Sequence, residues 1–220
     1  VAKYGRIVSL SWEALKNDDL LSFARMQPAM GQAARRLESD TVYAMFAENA
    51  GAGPTMQDGI SLFHATNHAN VLGSAGTVSA ASLGAARALL RKQTAVGGGY
   101  LSLVPRFLIA PAELETELEI LLAQATRHTI TTGIEATATP TWLQNLELVI
   151  EPRLAANAFF LAADSNQIDT AELGVLDENQ DGPQILEEVG FVIDTYRWRV
   201  RHVCGAKFLD WRGVAKIPLV

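Results

Sequence analysis

The sequence predicts an α+β protein, with helices early in the chain and strands concentrated late. Three observations carry that expectation. Between Asp18 and Asn49, Met30, Ala33, Ala34, Leu37, Thr41, Ala44, Met45 and Glu48 fall three or four apart, the spacing of one helical face. From Leu146 onward the period changes, and LELVIEPRL, AFFLA and ELGVL read as short strands. In the final run, FVIDTYRWRVRHVCGAKFLDWRG, Tyr196, Trp198 and Val200 alternate with Arg197, Arg199 and Arg201. That is the period-two pattern of a half-buried antiparallel ribbon.

Taken in order, Tyr4 to Leu10 is β-branched and aromatic and reads as a strand, followed by a short helical or turn segment from Ser11 to Asn17. The long helix then runs from Asp18 to Asn49, about 48 Å at ~1.5 Å per residue, a beam across which other elements are laid. Asp18 or Asp19 serves as its N-cap, Gly51 as its left-handed stop, and Pro28 as a possible early kink. Leu37, in the middle of the apolar face, is expected to be buried. The stretch 51–76 is a loop holding the island SLFHATNHAN, and Ser79 caps a helix through Gln93 with Leu83, Ala86, Leu89 and Leu90 inward. Gly97, Gly98 and Gly99 form a turn. Tyr100 to Ala110 is a strand interrupted by Pro105, which marks an edge or a bulge. Pro111 opens the next helix, whose stripe is Leu114, Leu118, Leu121, Leu122 and Ala125. Residues 127–140 read as a Thr- and Gly-rich loop.

Composition narrows the class of function. The chain has 220 residues, 49% of them hydrophobic, a formal net charge of −6 and one cysteine, Cys204. A core of real size is possible, in one large domain or two smaller ones. No apolar run is long enough to span a bilayer, and no membrane partner is expected. The opening VAKYGRIVSL has neither a leader pattern nor an initial methionine, as in a processed product or the ordered part of something longer. One cysteine rules out an internal disulfide framework. The acidic balance disfavours a dedicated nucleic-acid binder.

Each residue with chemical potential has a plainer reading beside it. His64 and His68 have the four-residue spacing of helical metal ligands, but Asn67, Asn70 and their glycine-rich surroundings place them on a loop, where hydrogen bonding is the simpler role. Cys204 lies on the apolar side of a strand pattern and reads as a small buried residue. Glu113, Glu115, Glu117 and Glu119 begin a helix, where the dipole favours acids, and residues two apart do not converge on one site. The triple glycine lacks the lysine of a phosphate loop. Asp177, Asn179, Asp181, Gly182 and Glu188 match a calcium loop in spacing, a weak candidate metal site. The strand-like flank after Glu188 and Gln184 at the aliphatic position favour an exposed turn instead. No catalytic constellation and no cofactor site is expected.

Several segments resemble, in order, the major head protein of Mu-like tailed phages, a family with the Hong Kong 97-type capsid fold. They are GRIVSLSWEALKNDDL, AARRLESDTVYAMF in the beam, LFHATNHAN, ASLGAARALLRKQ, LSLVPRFLIAPAELETELEILL and VRHVCGAKFLDWRGVAKIP. The resemblance implies a structural protein, not an enzyme, that self-assembles through pentamers and hexamers into the icosahedral shell around a double-stranded DNA genome. It implies a spine helix in a peripheral domain over 11–74, an axial domain over 75–189, and a C-terminal ribbon over 190–220 rejoining the peripheral domain. Residues 1–10 would be what remains of an extended loop, whose outgoing half and an N-terminal arm would precede Val1. The implied partners are copies of the chain, packaged DNA on the inner face, and portal, scaffold or decoration proteins. The implied location is the virion capsid, assembled in the host cytoplasm. A related encapsulating shell or other virion component of the same fold is the alternative, with a hydrolase or calcium-binding module further behind.

Overall fold

The computed structural model describes residues 1–17, 25–126, 140–176, 183–190 and 195–219. These divide into two compact units, one of 1–43 with 173–207 and the other of 44–172 with 208–220.

The first unit is built on a four-stranded sheet. Its centre is β7 (Thr195–Phe208), with β1 (Ala2–Ser11) antiparallel along one edge and β6 (Gln184–Gly190) and β5 (Ala171–Val175) on the other. The alternation read from the sequence is realised: Trp198, His202 and Cys204 are buried on one face, while Arg199 is exposed on the other. After β1, Ser11 caps α1 (Trp12–Lys16) by accepting from the Ala14 N–H.

The long helix α2 (Met26–Gly51) begins at Met26, and the predicted caps Asp18 and Asp19 lie outside the described residues. Pro28 sits in its first turn, where the backbone N–H has no helical partner to lose, so the ladder stays intact. The other end differs from the expected stop. The backbone leaves the helical region at Glu48, with ψ of 152°, then passes through three left-handed residues, Asn49, Ala50 and Gly51. Asn49 carries that turn by donating from Nδ2 to the Gly53 carbonyl at 2.8 Å. On the helix face Met30, Ala34, Met45 and Phe46 are buried. Leu37, expected inside, is only half-buried, and Ala33 and Ala44 are exposed.

The second unit holds a sheet in the order β3 (Glu147–Ile150), β2 (Pro105–Ala110), β4 (Ala158–Ala163), β8 (Val214–Pro218). β2 and β3 are parallel, and the other pairs are antiparallel. Pro105 therefore heads an interior strand, at a register shift before Phe107, so the expected bulge is present and the edge is not. Residues 101–104 are not strand. Against this sheet packs α3 (Ala80–Arg91), opened by a reciprocal Ser79–Ser82 capping box. A short 3₁₀ turn, Ala112–Leu114, precedes α4 (Glu115–Thr126), which packs against a second 3₁₀ turn, Thr141–Asn145. Pro111 is the N-cap of the first of these turns, not a helical residue. Leu83, Leu90, Leu108, Leu118, Phe159, Leu161 and Ile217 are fully buried and form the core. The C-terminal stretch divides: β7, within the alternating run, joins the first sheet, and β8, just after it, joins the second. The predicted loop over 127–140 lies, except for Pro140, outside the described residues.

Candidate functional site

The two histidines are fixed by hydrogen bonds. Nδ1 of His64 accepts from the Thr66 and Asn67 N–H groups. His68 is buried, with Nδ1 at 2.9 Å from the Leu62 carbonyl and Nε2 at 2.8 Å from Asp58 Oδ2. Its ring stacks on Trp211 at 4.3 Å, and Arg212 lies 4.4 Å from the centre of the same indole. Fully buried Asn70 donates to the carbonyls of Leu62 and Trp211 and accepts from the His64 N–H. Gln93 closes the cluster by donating to the His68 carbonyl. These polar groups are the internal fastening of segment 51–76, because a buried polar group is stable only when bonded. The hydrogen bond to His68 chiefly, then the Ile60 N–H, holds the Asp58 carboxyl below its ordinary 3.8.

Cys204 is buried against α2, and burial pushes its thiol above the ordinary range, with Glu38 adding to the effect. That is the opposite of what an activated nucleophile needs. Beside it, His202 Nε2 lies 2.8 Å from Glu38 Oε1. Among the described residues no group of three or more His, Cys, Asp or Glu side chains is placed to hold a metal. Asp177, Asn179, Asp181 and Gly182 lie outside the described residues, while Glu188 lies in β6, exposed and opposite Arg197. Glu113, Glu115, Glu117 and Glu119 are all exposed. Gly97 to Gly99 turn an exposed loop tip that carries Val96 and Tyr100.

What the molecule presents is surface. In the first unit a groove of about 480 Å³ runs between β1, β7 and α2, lined by Val8, Met30, Ala33, Ala34, Leu37 and Val200, with Arg6, Asp40 and His202 among its polar groups. The opposite face of the same sheet is open. There Arg197, Arg199 and Arg201 sit between residues of β1 and β6, and Arg201 donates to Gln184 Oε1. Exposed Ile7 and Leu186 flank Arg199. The sequence pattern located the arginines, but not their apolar neighbours. β6 is exposed along nearly its whole length and has no burial alternation to reveal it.

Two sheets and a long helix, with open apolar and charged faces, make up the Hong Kong 97-type shell fold. A chain of Microbacterium phage Oxtober96 has this fold at a TM-score of 0.60, with 11% identity over 100% of this chain and 72% of that one. The capsid of Ralstonia phage GP4 gives a TM-score of 0.60 and 13% identity over 100% of this chain and 73% of that one. An encapsulin, SrpI from Synechococcus elongatus, gives 0.56 and 9% identity over 99% and 73%. A comparison with curated proteins finds no match. The phage capsid protein family matches residues 1–217, and the chain belongs to that family. It is a phage major capsid protein, a component of the virion head.

Proposed function

We propose that this chain is the major head protein of a Mu-like tailed phage or prophage, assembling through pentamers and hexamers into an icosahedral shell around double-stranded DNA. The family match over residues 1–217 carries the reading. The fold alone would not, because a phage capsid and an encapsulin share it. The ordered segments from GRIVSLSWEALKNDDL to VRHVCGAKFLDWRGVAKIP support the Mu-like assignment. Residues 11–74 with the spine helix form the peripheral domain, 75–189 the axial domain, and the ribbon over 190–220 returns to the peripheral domain. The work of the protein is packing between copies, without catalysis or a bound cofactor. Assembly takes place in the host cytoplasm, with portal, scaffold or decoration proteins as further partners.

Electron microscopy of the protein expressed at its native length tests this. Closed particles with fivefold and sixfold capsomers are expected. A protein that stays monomeric at high concentration, with scaffold and maturation factors supplied, would overturn the reading.

A further inference from the structure

We propose that the open face of the β1–β7–β6 sheet is an assembly contact whose occupant is the acidic helix α4 of a second copy. The inference rests on the shell-protein reading and names one contact within it. The cross-strand register builds the surface. Arg197 lies between Ser9 and Glu188, Arg199 between Ile7 and Leu186, and Arg201 between Gly5 and Gln184. Lys3 and Lys207 extend the same face, so five cations share it, among the described residues, with two carboxylates, Glu188 and, opposite Lys207 on β5, Glu172. Ile7 is 64% and Leu186 48% exposed, which places apolar surface on both sides of the central arginine. A face that is both basic and apolar fits a protein partner carrying acids and an aliphatic side chain.

The chain itself carries such an element. The segment Ala112–Thr126 has four glutamates and no lysine or arginine. Leu118 is fully buried, and Leu114, Leu121 and Leu122 pack on the core, which turns Glu113, Glu115, Glu117 and Glu119 outward. Ile120, 54% exposed, lies beside them. The spacings match. Residues two apart on a strand repeat every ~6.8 Å, and residues four apart on a helix every ~6 Å. Glu115 and Glu119, both within α4, can therefore meet two successive arginines of β7, with Ile120 beside Glu119 toward the aliphatic flank. DNA is the competing anion, but it has no aliphatic group for Ile7 and Leu186, and the net charge of −6 opposes a polyanion at long range.

Charge exchange on the native-length protein decides the matter. Arg197→Glu with Arg199→Glu should lower particle yield by about tenfold or more, because like charges then face each other. Glu115→Arg with Glu119→Arg should do the same, and the four changes together should restore assembly. All positions are at least partly exposed, so the subunit's melting temperature serves as the folding control. If a variant fails to fold, carbodiimide crosslinking of mixed isotope-labelled particles replaces it, with links expected from Lys3 or Lys207 of one copy to the α4 glutamates of another. Normal particle yield in either pair, no rescue in the combination, or absence of those links overturns the contact. Arginine variants that form particles but lose packaged DNA would give the face to nucleic acid and also overturn it. A wild-type protein that forms no particles removes the shell reading, and this contact with it.

Discussion

His68 and its neighbours show how single residues hold a long segment that has little regular structure. Each ring nitrogen faces an oxygen, the Leu62 carbonyl on one side and the Asp58 carboxylate on the other. Because Asp58 titrates below 3.8 in the fold, its contribution is complete above that value and is lost as pH falls through the lower folded value. Urea midpoints of the wild type should therefore drop below about pH 4 more steeply than those of Asp58→Asn. Equal slopes would show that the pair contributes nothing. Gly53 is fixed for a different reason. Its φ is +76°, and an added Cβ would lie 2.8 Å from Cβ of fully buried Leu62, an atom that cannot rotate away. Gly53→Ala should cost about 1–3 kcal/mol, read from equilibrium unfolding. An unchanged midpoint would contradict that geometry.

At the scale of elements, the last helical turn of α2 is held by aromatic packing. Phe46 meets Phe160 at 4.8 Å and Phe208 at 5.3 Å, both edge-on, with Phe63 at 6.1 Å. Phe46→Ala removes the common member of that group and should destabilise the protein by about 3–5 kcal/mol in denaturant unfolding. A loss under about 1 kcal/mol would mean that the cluster collapses to fill the space. The features legible in the sequence were those with a local cause. β7 alternates because one of its faces is buried, and α3 announces itself by the serine that caps it. Where distant residues decide, the sequence misled. The glutamate and asparagine ending α2 leave the helix because Asn49 bonds forward to Gly53, which periodicity does not reveal. Leu37 obeys the helical period yet lines an open groove, since period sets a face but not what covers it. Pro105 heads an interior strand because the ladder shifts register there. β8 spans only five residues and takes its identity from pairing with β4. For the candidate site, residue types were readable and negative conclusions followed from them. The open sheet face was not, because half of it comes from β1 and β6.

The whole molecule exposes apolar side chains that a solitary protein would have reason to hide. Val96 is 94% and Tyr100 76% exposed at the glycine tip, with Leu101 and Val104 beside them, and Ile185, Leu186 and Val189 line β6. Singly such residues are ordinary, but runs of them within one loop and one strand mark surface that is covered in the working state. In a shell that cover is the next copy, so burial between copies adds to stability by mass action and makes it depend on concentration. Assembled particles should therefore melt at a higher temperature than dissociated subunits, and the difference should widen as protein concentration rises. Tyr100→Ser separates this gain from folding. Tyr100 packs little within its own chain, so the dissociated variant should unfold within about 0.5 kcal/mol of the wild type. The same variant should form particles that dissociate at lower denaturant, as read by light scattering. If the subunit itself is strongly destabilised, Tyr100 belongs to the fold. If subunit and particle are both unaffected, the tip stays in solvent and the cover lies elsewhere on the surface.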